Sequence, residues 1–409
     1  YRFSPVEVFT LVTLAAYLLK AIPEWASRYS VNGEEYALRT THYAIRLHMA
    51  DYAAAAFLLV ATLSLFFTER LGLALTEWRV VIVEPLIFYF LLRAIRPSGR
   101  EMWRLLDGFV LGGLLVAGLG LWQYGTGHEA LITAEAGLMR LRSIYGSPNN
   151  VALYLGRILP LLLAVVWLGG PLHGRRRWLY GGMALPIGLA ILLSFSRGGL
   201  LLAVPAGFLV IFWVWQRGLS LRERDNGHSP WPWLILFAIA GAIGLLIAQR
   251  IPALAGRLDL ASATSFFRLN LWRASLNMIA DNALTGVGLD NFLYAYRSRY
   301  IFDAAWQEPN LNHPHNIVLD FATRLGLLGL LAGGWLFWSL GRTLRRAHSH
   351  VSAEWQPVAV GLAGALAAIL AHGLVDHSFF LIDLAYTFYL LLGTAVWLQN
   401  QYGGSTGPS

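Results

Sequence analysis

Long apolar runs separated by short polar connections dominate this chain. Runs long enough to cross a bilayer fall at 6–21, 49–67, 80–95, 107–123, 151–169, 179–195, 199–215, 232–249, 316–340, 358–374 and 379–398. A spanning helix needs about 20 largely apolar residues. The pattern therefore predicts an all-α, polytopic membrane bundle of about 11–12 transmembrane helices, forming one integral membrane domain over 1–409. The first run, Val6–Ala21, has no small-residue cleavage site behind it and is expected to stay as a helix.

One stretch breaks the rhythm. Residues 250–314 form the only sizeable non-membrane element. Arg257–Asp281 within it has helical spacing, with Phe267, Leu271 and Ile279 apolar and Arg268 and Trp272 at i, i+4. Asn282-Ala-Leu-Thr-Gly286-Val-Gly288 ends that helix with turn chemistry, and Phe292–Tyr300 predicts a second short helix. The expectation is a helical hairpin lying on the membrane surface as a lid.

Composition supports a lipid setting. Hydrophobic residues make up 56% and charged residues 13%, where soluble domains carry about twice that charge. Forty-one glycines suit close helix packing in lipid, and no cysteine is available for a disulfide or thiolate site. Net charge is +8, and Lys20 is the single lysine, so the other basic side chains are arginine. The basic connections at Arg175-Arg176-Arg177, Arg217/Arg222/Arg224 and Arg342/Arg345/Arg346 orient the chain with those turns in the cytoplasm. Alternation then sends four polar features to the outer face: the loop near 125–150, the turn at Arg197, the loop 250–314 and the turn at Asp376-His377. Arg96, Arg100 and Arg104 read as cytoplasmic.

Candidate chemistry gathers on that outer face. Asn312-His313-Pro314-His315-Asn316 leads directly into a span. Pro314 suits a helix start and Asn312 or His313 a cap, which places His315 in the first turn. The positive end of a helix and nearby arginines favour a neutral, proton-accepting imidazole. Gly326, Gly329 and Gly333 share one helix face and predict close approach of a neighbouring helix. Arg197 sits in Ser194-Phe-Ser-Arg197-Gly-Gly199 between two spans. Arg268 belongs to the outer hairpin, and Arg142 precedes Tyr145-Gly146-Ser147-Pro148-Asn149-Asn150. Arg157 lies two turns inside the next span, where an unpaired guanidinium is costly. Plainer readings stand beside these: a capping histidine, snorkelling or solvated arginines, and structural pairing for Asp376. Together the residues suggest arginines that receive phosphate or pyrophosphate and a histidine that acts as general base. No Asp-x-Asp cluster, P-loop, G-x-G-x-x-G or G-x-S-x-G occurs, so neither a metal nor another cofactor is expected.

These blocks resemble bacterial O-antigen ligases, within the superfamily that also holds O-antigen polymerases and protein O-oligosaccharyltransferases. The carriers are His315-Asn316-x9-Gly326-x2-Gly329, Arg142…Gly146-x-Pro148-Asn149, Ser196-Arg197-Gly198, and Arg268-x3-Trp272 leading to Asn282-Ala-Leu-Thr-Gly286-Val-Gly288-x2-Asn291-Phe292. The likeness covers about 140–400. It implies a metal-independent, inverting glycosyltransferase of the inner membrane with its active site facing the periplasm. The donor it implies is undecaprenyl-diphosphate-linked O-antigen, and the acceptor is lipid A–core oligosaccharide. The family's essential histidine falls on His315. Its functional arginines fall on Arg197 and Arg268, and less securely on Arg142. Asn316, Asn149, His313 and Arg157 complete the expected substrate-binding set. Membrane lipids are expected neighbours and nucleic acid is not. The competing expectations are a polymerase or protein O-oligosaccharyltransferase of the same superfamily. Outside it stands a lipid-linked sugar flippase, which would want internal repeats and gates on both faces.

Overall fold

Each apolar run that can be followed becomes a helix, and four of the long helices begin at a side chain that takes up their first amides: His48, Ser98, Ser147 and Asn316. The structure, a computed structural model, describes residues 47–127, 132–135, 138–222 and 263–403. The expected spans at 6–21 and 232–249 lie outside these residues. Helix α1 (Met49–Ser64, continued by a tight turn at Leu65–Phe67) starts with a capping box between His48 and Asp51. A continuous rod follows from α2 (Leu71–Glu77) through a π-helical segment (Trp78–Val83) to α3 (Glu84–Ile95). Ser98 and Glu101 box the start of α4 (Gly99–Thr126). A two-stranded hairpin, β1 (Ile132–Glu135) and β2 (Leu138–Leu141), adds a small antiparallel element that hydropathy did not predict.

Next come α5 (Pro148–Leu168), capped by Ser147, and α6 (Gly174–Leu193). A π-helical turn (Gly199–Ala203) leads into α7 (Val204–Arg222). The outer loop supplies α8 (Ala263–Asp281) and the short α9 (Phe292–Ala295), which ends in a π turn at Tyr296–Tyr300. The bundle closes with α10 (Ile317–His348), α11 (Gln356–Gly373) and α12 (Ile382–Tyr402). Among the described residues, seven helices are long and apolar enough to cross a membrane. The expected spans at 80–95 and 179–195 are helical as well, within the 71–95 rod and α6.

Helix α12 is a central pillar and α4 a peripheral one, judged by how much of each is covered. Helix α11 lies against α5 and α7, and α10 against α1 and α12. Phe57, Phe321, Phe337, Phe379 and Phe388 interlock at the centre with ring centroids 4.7–6.2 Å apart. Outward-facing Leu115, Leu185 and Leu331 are exposed in mid-helix, as a lipid-facing surface requires.

The two ends differ in chemistry. One end gathers Arg93, Arg176 and the Trp103–Trp355 stack. Asp107 accepts Arg176 at 3.1 and 3.0 Å and the Tyr180 hydroxyl at 2.7 Å. Arg93 and the Tyr89 hydroxyl both donate to buried Asp51 at this same end. The other end carries the hairpin, the turn at 194–198, the outer loop and the turn at 374–381. The basic and polar connections therefore segregate as alternation predicts.

Helix α10 departs from expectation. It is not a straight rod: Gly326 has φ 66° and ψ −163°, and the helix breaks there. The break frees backbone groups, and the 283–288 turn takes them up. Leu327 N–H donates to Ala283 O at 2.7 Å, while Thr323 O and Arg324 O accept from Val287 and Gly288 at 2.8 and 3.0 Å. Gly329 and Gly333 face Leu325 and Phe321 of the same helix across the bend rather than a neighbouring helix. The glycine pair 326/329 and the Gly286-Val-Gly288 turn are thus two halves of one joint. A Cβ at Gly326 would run into the Leu284 backbone, and the residue would still need a positive φ. Gly326→Ala is therefore expected to destabilise the protein by about 2 kcal/mol or more. Thermal unfolding in detergent measures it, and an unchanged midpoint would refute the joint.

Candidate active site

The site is built where three connections meet. His315 does not lie in the first turn of α10. Asn316 is the N-cap, its Oδ1 accepting from Val318 and Leu319 N–H at 3.0 and 3.1 Å, and its Nδ2 donates to Leu374 O at 2.9 Å. His315 precedes the cap in a left-handed conformation, φ 50°. Asparagine outperforms proline's neighbours as a cap because its side chain can fold back onto the amides. Non-glycine residues in this conformation are uncommon and gather at functional positions. Ser143, Phe195 and Asp290 share it at this end, and Arg96 at the other.

The residue holding His315 is Asp376, 61 positions away. His315 Nδ1–H donates to Asp376 Oδ1 at 2.9 Å. The same oxygen accepts the backbone N–H of His377 at 3.0 Å and faces His377 Nδ1 at 3.1 Å. Asp376 Oδ2 accepts from Asn149 Nδ2 at 3.0 Å, and Asn149 Oδ1 accepts from Arg140 Nη2 at 2.9 Å. Arg140 Nε reaches Ser194 O at 2.9 Å. One chain of bonds thus joins the hairpin, the start of α5, the 194–198 turn and the 376 turn. Burial alone would raise the Asp376 carboxyl. The surrounding imidazoles, with His315 and His377 donating to it, outweigh burial and hold the group well below the usual carboxylate range.

His313 stands beside His315, Nε2 to Nδ1 at 3.1 Å, and its Nδ1–H donates to Asn312 Oδ1 at 2.6 Å. Burial and then the imidazoles of His377 and His315 keep His313 well below the ordinary imidazole value. Four potential metal donors therefore meet here: ring nitrogens of His313, His315 and His377 and a carboxylate oxygen of Asp376, all within 4.8 Å of one another. No Asp-x-Asp motif marks them, because they come from two segments about 60 residues apart.

A cavity of about 510 Å³ opens at this cluster. His313, His315, Asp376, His377, Asn149, Asn150 and Asn312 make its polar wall. Val80, Val81, Phe380, Leu381 and Ile382 make an apolar one. Its arginine is Arg324, whose Nη1 donates to Glu77 at 2.6 Å and whose Nε donates to Asp320 at 2.7 Å. That charge is already balanced inside the wall.

Arg197, Arg268 and Arg142 are not among the residues lining this cavity. The segments that carry Arg197 and Arg268 both bear on His372, one turn before Asp376. Gly198, next to Arg197, packs against the His372 ring, and the charge of Arg268 acts on that imidazole. They occupy the same end of the bundle as His315. Trp272, one turn beyond Arg268, donates its indole N–H to Pro314 O at 2.9 Å, which ties the outer hairpin to the histidine segment. That hairpin has its own small core of Leu271, Met278, Phe292 and Tyr296. The carbonyl of Arg142 accepts from Tyr145 N–H in the turn before α5.

Arg157 points elsewhere. Its side chain is 1% exposed and donates to the carbonyls of Leu153 (3.1 Å), Leu384 (2.8 Å) and Ser378. The guanidinium braces the non-helical segment that carries Asp376 and His377. Arg157→Lys supplies fewer, differently placed donors and leaves buried carbonyls unmet. It is expected to cost about 2 kcal/mol of stability, visible as a lowered melting midpoint. A variant that melts normally but binds donor poorly would instead make Arg157 a substrate ligand.

Sequence reasoning missed Arg140 altogether and read Asp376 as orienting or pairing with an Arg or His, with structural pairing favoured. Three π-helical segments, at 78–83, 199–203 and 296–300, were a further signal that pattern alone does not reveal. The first contributes Val80 and Val81 to the cavity, and the second follows Arg197 directly. Such segments recur at functional sites. Residues 182–334 match the family model described as O-antigen ligase. No curated protein matches the chain.

Proposed function

We propose, from the match of residues 182–334 to the family model described as O-antigen ligase and from the site's geometry, that this chain is an O-antigen ligase. It transfers O-antigen polysaccharide from undecaprenyl diphosphate to lipid A–core oligosaccharide at the periplasmic face of the inner membrane. The supporting observation is the His315–Asp376 pair at a cavity with one polar and one apolar wall. With Nδ1–H committed to Asp376, the free lone pair of His315 is on Nε2. That nitrogen takes the proton of the acceptor hydroxyl as it attacks the anomeric carbon, and the diphosphate departs from the opposite side with inversion. A general base contributes roughly 10²–10⁴ in rate. The leaving group is already a stable anion, so the reaction needs charge stabilisation rather than a metal. Arg197 and Arg268, at the same end, supply it through bidentate guanidinium contacts. The asparagines, His313 and Asn316 border the path of the sugars, while Val80, Val81 and Phe380 suit the lipid.

The polymerase reading shares the donor and differs in the acceptor. The His-Asn-x9-Gly-x2-Gly spacing favours the ligase. Purified chain in proteoliposomes, given a diphosphate-linked glycan donor with either lipid A–core or a second donor molecule, separates the two. Ligation lengthens the lipid A–core band. A donor that grows on another donor would overturn the ligase reading in favour of polymerisation, and no transfer in either arm would overturn both.

A further inference from the structure

The hydrogen bonds around Asp376 Oδ1 are too many for one oxygen. It faces His315 Nδ1 at 2.9 Å, His377 Nδ1 at 3.1 Å and the His377 amide at 3.0 Å, with His313 Nε2 at 3.6 Å. A carboxylate oxygen has two lone pairs. His313 sharpens the mismatch. Its Nδ1–H is spent on Asn312 Oδ1, so the Nε2 lone pair points at an anion and at a second imidazole nitrogen 3.1 Å away. Lone pairs converging on one point are the arrangement of a coordination shell. Tetrahedral bonds of about 2.0–2.1 Å set neighbouring donors roughly 3.3 Å apart; the close pairs here run from 2.9 to 3.6 Å, and all four donor atoms lie within 4.8 Å of one another.

We infer that His313, His315, His377 and Asp376 form a binding site for one divalent transition-metal ion of the zinc class, and that occupancy switches the catalytic histidine off. The donor set, three imidazoles and one carboxylate, suits zinc, cobalt or nickel and excludes magnesium and calcium, which require oxygen. The outer supports of such a site are present. Asn312 fixes the His313 tautomer, and Asn149, itself held by Arg140, fixes the second oxygen of Asp376. Side-chain exposures of 13% for His313 and 21% for His315, on the wall of the 510 Å³ cavity, give an ion a way in. The consequence for catalysis rests on the proposed function. A metal on Nδ1 of His315 displaces the proton there and moves it to Nε2, the position that has to accept the acceptor's proton. The bound ion therefore opposes transfer and is no part of it.

Binding and activity are read separately. Full-length wild-type protein in detergent, titrated with Co²⁺ after chelator treatment, is expected to take up one ion per chain with visible d–d absorption, and Zn²⁺ should displace it. His377→Phe and His313→Gln, each removing one donor, should weaken binding at least about tenfold. X-ray absorption of the zinc-loaded wild type reads the ligands without any variant and should give three nitrogens and one oxygen near 2.0–2.1 Å. Zn²⁺ should suppress glycan transfer by the wild type and lose that effect in His377→Phe. Absence of saturable Co²⁺ uptake, binding that survives both substitutions, or a sulfur- or water-only shell would overturn the site. Equal inhibition of wild type and His377→Phe would overturn the switch. A chain that binds one Co²⁺ but transfers nothing would count against the ligase reading alone.

Discussion

Replacing His315 with asparagine is expected to reduce glycan transfer at least about a hundredfold. Asparagine is the fair replacement. It tolerates the left-handed backbone that His315 adopts, and its amide can still donate to Asp376. What it lacks is a nitrogen that accepts a proton near neutral pH. The fold should survive, so melting and donor binding stay close to wild type while turnover collapses. Transfer at near-normal rate would remove His315 from the chemistry and leave it a structural neighbour of the α10 cap.

The second large effect is expected at Asp376. Asp376→Asn removes the anion that sets the His315 tautomer and puts an N–H where Asn149 now donates or where the imidazoles do. Turnover should fall by about tenfold to a hundredfold, with KM for the lipid-linked donor little changed, as expected of a residue that positions His315 and does not bind the glycan. A large rise in KM with turnover preserved would show instead that the carboxylate binds the glycan. The two substitutions share one interaction, so the double variant should be hardly worse than His315→Asn alone.

Much of the architecture was legible because a bilayer dictates it. Spans such as 49–67 and 151–169 are placed within a few residues, since apolar length is set by membrane thickness. The rod that holds the expected 80–95 span begins earlier, at Leu71, because its first turns carry Thr76 and Glu77, which face a polar cavity and hide the run from hydropathy. The β-hairpin escaped notice because strands of four residues have too little alternation to register.

The candidates His315, Asn149 and Asn316 could be named from local sequence and the family resemblance, and His315 and Asn149 line the cavity. The partner of His315 could not, because Asp376 belongs to another turn, and pairing across 61 residues leaves no periodic trace. Arg157 was conspicuous as a charge within a span, but only the fold reveals the carbonyls of Ser378 and Leu384 that it serves. Gly326 was conspicuous too. Its purpose became visible only with the 283–288 turn docked against the opened helix.

The indole of Trp272 has a consequence for timing. It grips the carbonyl of Pro314, the residue just before His315. Should α8 swing aside to admit a lipid-borne sugar chain, the imidazole's backbone is pulled along or let go, so an open entrance and an aligned proton acceptor exclude each other. Trp272 thereby couples the position of α8 to the backbone that carries His315.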